Sequence, residues 1–467
     1  MNRCLTGAVA GLAAALVLAS PAAAAKWTAG SDGLGDPFFP QAGNGGYDAR
    51  HYSLDLDYAP ATKTLTGSAA IELVPTQDLD RFNLDLRSFL TVSRVEVGGH
   101  RAAFEQIGEQ ELQITPRPKL HSGRSYTVDV DYAGVVENIV DPDESVEGWV
   151  ATSDGAFVVG EPQGAPGWFP SNDNPRDKAT YDMAVTVPDG NTVLGNGLLV
   201  GSASRDGKTT WRWREDSPMA TYLATATNGK FDLSMDTAPG GQPIYNALDS
   251  GFTAAQKATA TTRLAKQPAM IAFLEQIYGP YPFESAGAIV DNARFVGYAL
   301  ESQTKPNYDR VPGESTILHE LAHQWVGDSV TLTVWPDIWL AEGFAAWSEW
   351  RWTEFNGGQS AQATFLATYN SIPADDEFWD IPAGDPGEPA NMFGAASYTR
   401  GAMTLQALRA KVGEAAFSRT LRAWYAENRN GNVTTADFIA LAERESGQQL
   451  DAFFDVWLYQ PGKPTSW

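Results

Sequence analysis

The 467-residue chain has five histidines, and two of them share one pentapeptide, His319-Glu320-Leu321-Ala322-His323. Pro312-Gly313 before it and Gly327 after it bracket a short helix, on which positions i and i+4 lie on one face, one turn apart. Both imidazoles can therefore offer a nitrogen to a single ion. A catalytic zinc takes three protein ligands and keeps a fourth position open for water, so a third ligand is needed. Glu342 follows His323 by nineteen residues, in Trp339-Leu340-Ala341-Glu342-Gly343-Phe344, at the opening of a second helix that ends near Gly357-Gly358. Two packed helices can bring such a first-turn carboxylate onto the histidine pair. Glu320 lies about 100° round the helix from His319, so it flanks the ion and is placed to take a proton from the attacking water. The pentapeptide alone could arise by chance. Here Ile317, Leu318, Leu321, Trp325 and Val326 make the other helix positions apolar, and polar groups on a buried helix require partners. One zinc ion per chain is expected.

The elements that must position these groups fall into two halves. In the first, Tyr52, Leu54, Leu56 and Tyr58 alternate with polar residues, as do Phe82, Leu84 and Leu86, then Tyr126, Val128 and Val130, then Tyr181, Met183, Val185 and Val187. Period-two alternation means half-buried antiparallel strands, and Gly98-Gly99 and Asp189-Gly190 mark turns between them. A β-sandwich or saddle-shaped sheet is predicted. After Ala238-Pro239-Gly240-Gly241 the period becomes helical, over 253–277 and then near 314–326, 338–356, 397–412, 414–428 and 434–446. The fold class is thus α+β in two domains, 26–237 and 238–467. The acidic run Asp141-Pro142-Asp143-Glu144 could hold a cation such as calcium, but it reads more simply as a solvated loop.

Residues 1–25 read as a signal peptide: Arg3, the apolar run 7–19, then Ala23-Ala24-Ala25 as a cleavage site. The run is short of the ~20 residues that a spanning helix needs, so no membrane anchor is expected. The mature chain would begin at Lys26 in a secreted or periplasmic-type compartment. Cys4, the only cysteine, would be lost with the peptide, leaving neither disulfides nor thiolate ligands. Loss of Arg3 would take the formal charge from −24 to −25, which disfavours nucleic acid as a partner. Apolar residues at 43% and charged residues at 19% suit an ordinary globular core. Nothing in the sequence speaks to the oligomeric state.

The stretch His319 to Asp328, HELAHQWVGD, followed by WPDIWLAEGFA, resembles the zinc aminopeptidases of the aminopeptidase N type, a gluzincin family. Glu161-Pro162 through Trp168-Phe169-Pro170, with Lys178 to Asp182, resembles the end of that family's N-terminal domain. Tyr298-Ala299-Leu300-Glu301-Ser302 resembles its G-A-M-E-N exopeptidase motif, and Tyr398-Thr399-Arg400-Gly401-Ala402 its Y-x-K-G-A segment. The resemblance implies a thermolysin-like, mostly helical catalytic domain with a small sheet, and peptide substrates with a free N-terminus. It implies that Glu301 and Glu161 hold the substrate's α-amine beside Ala299 and Leu300, and that Tyr398 stabilises the oxyanion. It also implies a short secreted bacterial form without the family's C-terminal domains. Tyr298, Ser302, Val159 and Ala341 depart from the family pattern, which leaves the preferred first residue, the physiological substrate and the efficiency open. Two alternatives remain at this stage: an endopeptidase with the same zinc chemistry, and a peptide-binding protein of weak or no activity. Glu301 argues against the first, and Glu320 with Tyr398 against the second.

Overall fold

The computed structural model describes residue 1 and residues 27–465. The expected signal peptide and Cys4 lie outside the described residues, apart from Met1. The alternating segments form an eight-stranded sheet in the order Leu198–Arg205, Lys208–Met219, Ala179–Pro188, Tyr47–Ala59, Thr64–Pro75, Tyr126–Val135, Leu90–Val97 and His100–Arg101. Tyr52, Leu54, Leu56 and Tyr58 are all buried, while Asp55 between them is exposed. A five-stranded antiparallel sheet lies against the same core through Trp149, Val158 and Val193. A four-stranded sheet adds Phe82, Leu84, Leu112 and Ile114. The sheets are not wholly antiparallel as expected: Ala179–Pro188 runs parallel to Tyr47–Ala59, with Tyr181 opposite Tyr52. Alternation defines which face of a strand is buried. It carries no information about the direction of a partner far away in the chain.

The second half opens with a mixed sheet in the order Phe231–Thr237, Pro243–Asp249, Ala286–Val290, Asn307–Tyr308 and Ala299–Leu300. Residue 237, where the domain boundary was expected, ends the first strand of this sheet. Nine helices follow among the described residues: α1 (Ala254–Leu264), α2 (Gln267–Ile277), α3 (Glu314–His323), α4 (Trp339–Phe355), α5 (Ala361–Ser371), α6 (Gly401–Val412), α7 (Glu414–Asn428), α8 (Thr435–Ser446) and α9 (Asp451–Phe454). The segment 253–277, expected as one helix, is two. Pro268 stands in the first turn of α2, where its missing N–H costs nothing. In a continuous helix its ring would collide with the carbonyl of Leu264. Helices α5 and α9 were not anticipated. Among the described residues no helix is long and apolar enough to cross a membrane.

The halves share a core boundary. Leu332, Trp335, Ile338 and Ala341 come from the helical half and pack into the β core. Lys178 reaches the other way and donates to the carbonyls of Asp328, Ser329 and Gly431, at 2.9, 3.0 and 3.2 Å. Burial pushes its ammonium down to about 7. The loop that follows the histidine helix is thus fastened to the β domain.

Candidate active site

Helix α3 presents His319 and His323, and α4 presents Glu342 from its first turn. Glu342 Oε2 lies 3.0 Å from His319 Nε2 and 3.4 Å from His323 Nε2. Each imidazole is oriented by its other nitrogen: His319 Nδ1 donates to Glu349 Oε1 at 2.8 Å, and His323 Nδ1 donates to the Val326 carbonyl at 3.1 Å. These partners assign the tautomers, leaving both Nε2 lone pairs facing the Glu342 carboxylate. Lone pair against carboxylate is repulsive unless a cation, whether proton or metal, lies between them. The three ligand atoms lie within 4.8 Å of one another. Two imidazole nitrogens and a carboxylate oxygen, with the far nitrogens held by a carboxylate and a carbonyl, are the donor set of a catalytic zinc. Burial works against charging His323, but Glu342 and Glu301 outweigh it and raise the imidazole to about 9. Burial likewise raises Glu342, yet His323 and His319 bring its carboxyl down to about 2. The centre is built to hold positive charge.

Three glycines permit this geometry. Gly327, at φ +126°, follows the histidine helix, and a Cβ there would stand 3.0 Å from His323 Nδ1. Gly343 and Gly401 let α4 and α6 touch, since a Cβ on Gly343 would lie 2.9 Å from Gly401 Cα. That contact draws the wide π-type turn Ala396–Arg400 toward the histidines. The Tyr398 ring stacks on His319 at 5.9 Å between centroids. Arg400 anchors the same turn from behind: it is fully buried and donates to carbonyls that include those of Trp457 at 2.9 Å and Gln460 at 2.6 Å.

A cavity of about 640 Å³ opens over this centre. Glu320 lines it and lies within 4.8 Å of both His323 and Glu301, ligand atom to ligand atom. Burial raises its carboxyl to about 8, against the pull of His319 and His323. Glu161 reaches the cavity from the β domain and Glu301 from the end of the strand Ala299–Leu300. Both are buried, each with an oxygen that has no hydrogen-bond partner. Burial first, then neighbouring carboxylates, raises Glu161 well above the usual range. Burial raises Glu301 too, with the histidines opposing. Gln324, next to His323, donates to the Glu301 carbonyl at 2.9 Å and accepts from Thr304 N at 2.7 Å. The Glu301 segment is thereby tied to the histidine helix.

Of the residues singled out from sequence, His319, Glu320, His323, Glu342, Glu161, Ala299, Glu301 and Tyr398 all line the cavity. The Leu300 side chain does not. It is buried with Val150, Phe157 and Val159 in a small apolar cluster, against which Tyr298 packs. Two departures from the family pattern, Val159 and Tyr298, thus meet in one contact between the domains. Ser302 accepts from Asn307 Nδ2 at 2.9 Å, and Ala341 packs into the β core. Glu349 was missed, although it follows Glu342 by seven residues, two turns on the same helix face. Asp143 and Glu144, from the acidic run read as a solvated loop, also line the cavity, and so does Phe393, which had no signal in the sequence.

Comparison with known proteins places this geometry. Residues 263–457 match the Peptidase family M1 domain and residues 48–223 the Peptidase M1 N-terminal domain. A substrate-bound mutant of the M1 zinc metallopeptidase from Deinococcus radiodurans superposes with a TM-score of 0.83 at 30% identity, covering 93% of this chain and 100% of that one. The chain belongs to the M1 zinc metallopeptidase family. Another structure of the Deinococcus radiodurans M1 zinc metallopeptidase matches with a TM-score of 0.84 at 29% identity, covering 92% of this chain and 98% of that one. Aminopeptidase M1 of Arabidopsis thaliana is 26% identical over 328 residues, which are 65% of this chain and 36% of that protein. The chain thus spans about a third of the length of the curated relatives it matches. Within this M1 fold, His319, His323 and Glu342 are the zinc site.

Proposed function

We propose that this M1 family member is an aminopeptidase, which hydrolyses the first peptide bond of substrates with a free N-terminus. One observation carries the reading. Glu161 and Glu301, from different domains, both line the zinc cavity, and each carries a buried oxygen without a partner. A buried carboxylate that lacks a donor is costly, and a substrate ammonium supplies both charge and donors. The Deinococcus radiodurans mutant is described as bound to a Tyr-Ser-Ala substrate, which suits a cavity of this kind.

Held by His319, His323 and Glu342, zinc would supply Lewis acidity toward the scissile carbonyl and a lowered pKa for water. The chain's own residues do the rest. Glu301 and Glu161 fix the ammonium, which sets the cut one residue from the N-terminus. Glu320 takes the proton of the attacking water and delivers it to the leaving amine. Burial, reinforced by Glu342, Glu161 and Glu301, holds the Tyr398 phenol well above its ordinary pKa. It therefore stays protonated and donates to the carbonyl oxygen as negative charge grows there.

An acetyl cap removes the charge that the clamp reads. A charge-assisted hydrogen bond contributes about 1.5–3 kcal/mol, so capping should lower kcat/KM by at least about tenfold. Mass spectrometry of a digested decapeptide should show a ladder shortened one residue at a time from the N-terminus. Internal fragments, with free and capped peptides cut equally, would establish an endopeptidase instead. We also infer action outside the cytoplasm, on the strength of Arg3, the apolar run 7–19 and Ala23-Ala24-Ala25. N-terminal sequencing of exported protein should then begin at Lys26.

A further inference from the structure

Seven carboxylates line the zinc cavity, and among the described lining residues there is no lysine or arginine. Five have partners or roles: Glu342 and Glu349 lie on the histidines, Glu320 on the reacting water, and Glu161 and Glu301 on the substrate amine. Asp143 and Glu144 remain. They sit exposed at the tip of the hairpin between Ile139–Val140 and Val146–Ala151, at the rim of the cavity.

The rim and the amine clamp are held in one frame. Tyr298 donates its hydroxyl to the Val146 carbonyl at 2.9 Å, and three residues later the same segment presents Glu301. The strand Val146–Ala151 pairs with Ala156–Val159, which leads two residues later to Glu161. Ser145 donates from its backbone and its hydroxyl to Asp143 Oδ1, at 3.0 and 2.6 Å. Inside the same cavity, Glu161 is only 8% exposed and its Oε1 has no partner. Val296, Tyr298 and Phe393 form a wall of the same cavity, and a first side chain entering between that wall and the rim would meet both. That space has an apolar flank and an anionic mouth. It fits a long aliphatic stem that ends in a cation.

We propose that Asp143 and Glu144 make this site selective for peptides whose first residue is arginine or lysine, and that acidic first residues are excluded. The proposal rests on the aminopeptidase reading. Because both carboxylates are exposed, their attraction is screened by salt and modest in size.

The test compares arginyl and citrullinyl reporter substrates, which match in shape and differ in charge, on the zinc-loaded enzyme. A glutamyl reporter and an N-acetyl-arginyl reporter are run beside them. Arginyl should exceed citrullinyl in kcat/KM by about tenfold at low salt, shrinking severalfold in 0.5 M NaCl, and glutamyl should be slowest. In the double variant Asp143→Asn, Glu144→Gln the arginyl-to-citrullinyl ratio should fall to about one to two. Both substrates are read on one preparation, so a general loss of folded protein cancels in the ratio. The salt dependence of the unaltered enzyme stands whether or not the variant folds. A ratio near one in the unaltered enzyme, or a ratio that survives the double substitution, overturns the proposal and leaves the aminopeptidase reading intact. Equal turnover of capped and free arginyl reporters would remove that reading and this proposal together.

Discussion

The two sides of the cavity are built on opposite terms. On the metal side the outer nitrogen of each imidazole has a protein partner: His319 Nδ1 lies on Glu349, and His323 Nδ1 on the Val326 carbonyl. On the side proposed to take the substrate amine, the amine side, Glu161 and Glu301 carry oxygens that nothing in the protein satisfies. The metal side comes from two adjacent helices, the amine side from two domains. A site that must hold its ion through every turnover can be satisfied by the protein around it. A site that must release its ligand each cycle has to leave the corresponding donors to the substrate.

The largest effects should fall on the metal side. His323→Ala removes a ligand, and both zinc content and hydrolysis should be lost, by metal analysis and by assay. Glu320→Gln keeps the ligands, so zinc should stay while turnover falls by at least about 10³-fold, because base and activated water act as one unit. Wild-type turnover in that variant would remove Glu320 from catalysis. Tyr398→Phe should lower kcat by about 10²–10³-fold with KM little changed, the scale of one oxyanion donor. An effect confined to KM would move the phenol to substrate binding. On the amine side, Glu301→Ala should lower kcat/KM for free peptides by about 10–100-fold and hardly affect capped ones, narrowing the gap between them. A gap of undiminished width would break the contrast drawn above. Glu349→Gln should give the smallest change, about 10–100-fold weaker zinc binding by competition with a chelator, with near-normal turnover once zinc is saturating.

Much of this was legible in the residues. The ligand set could be read because it depends on short-range geometry: an i, i+4 pair and the first turn of the next long helix. The buried faces of Tyr52 to Tyr58 and Tyr181 to Val187 followed from alternation alone. Glu349 could have been found by the same helical arithmetic. That Glu161, Glu301 and Tyr398 would line the cavity was legible only through resemblance, since a single carboxylate or phenol has no periodicity to mark it.

By itself, then, the sequence determined what is local: strand faces, most of the long helices, the two histidines with Glu320 between them, and Glu342 in reach. Tertiary structure decided what depends on approach between distant segments. It ran Ala179–Pro188 parallel to Tyr47–Ala59, and it turned Leu300 into an apolar cluster while Ala299 faces the cavity. It brought Glu161 across from the β domain to Glu301, and it set Asp143 and Glu144 at the rim through the Tyr298 bond to Val146. The physical reason is the same in each case. Backbone geometry fixes where a side chain points relative to its near neighbours, whereas contact between remote segments is set by how two cores pack, and no short-range pattern encodes that.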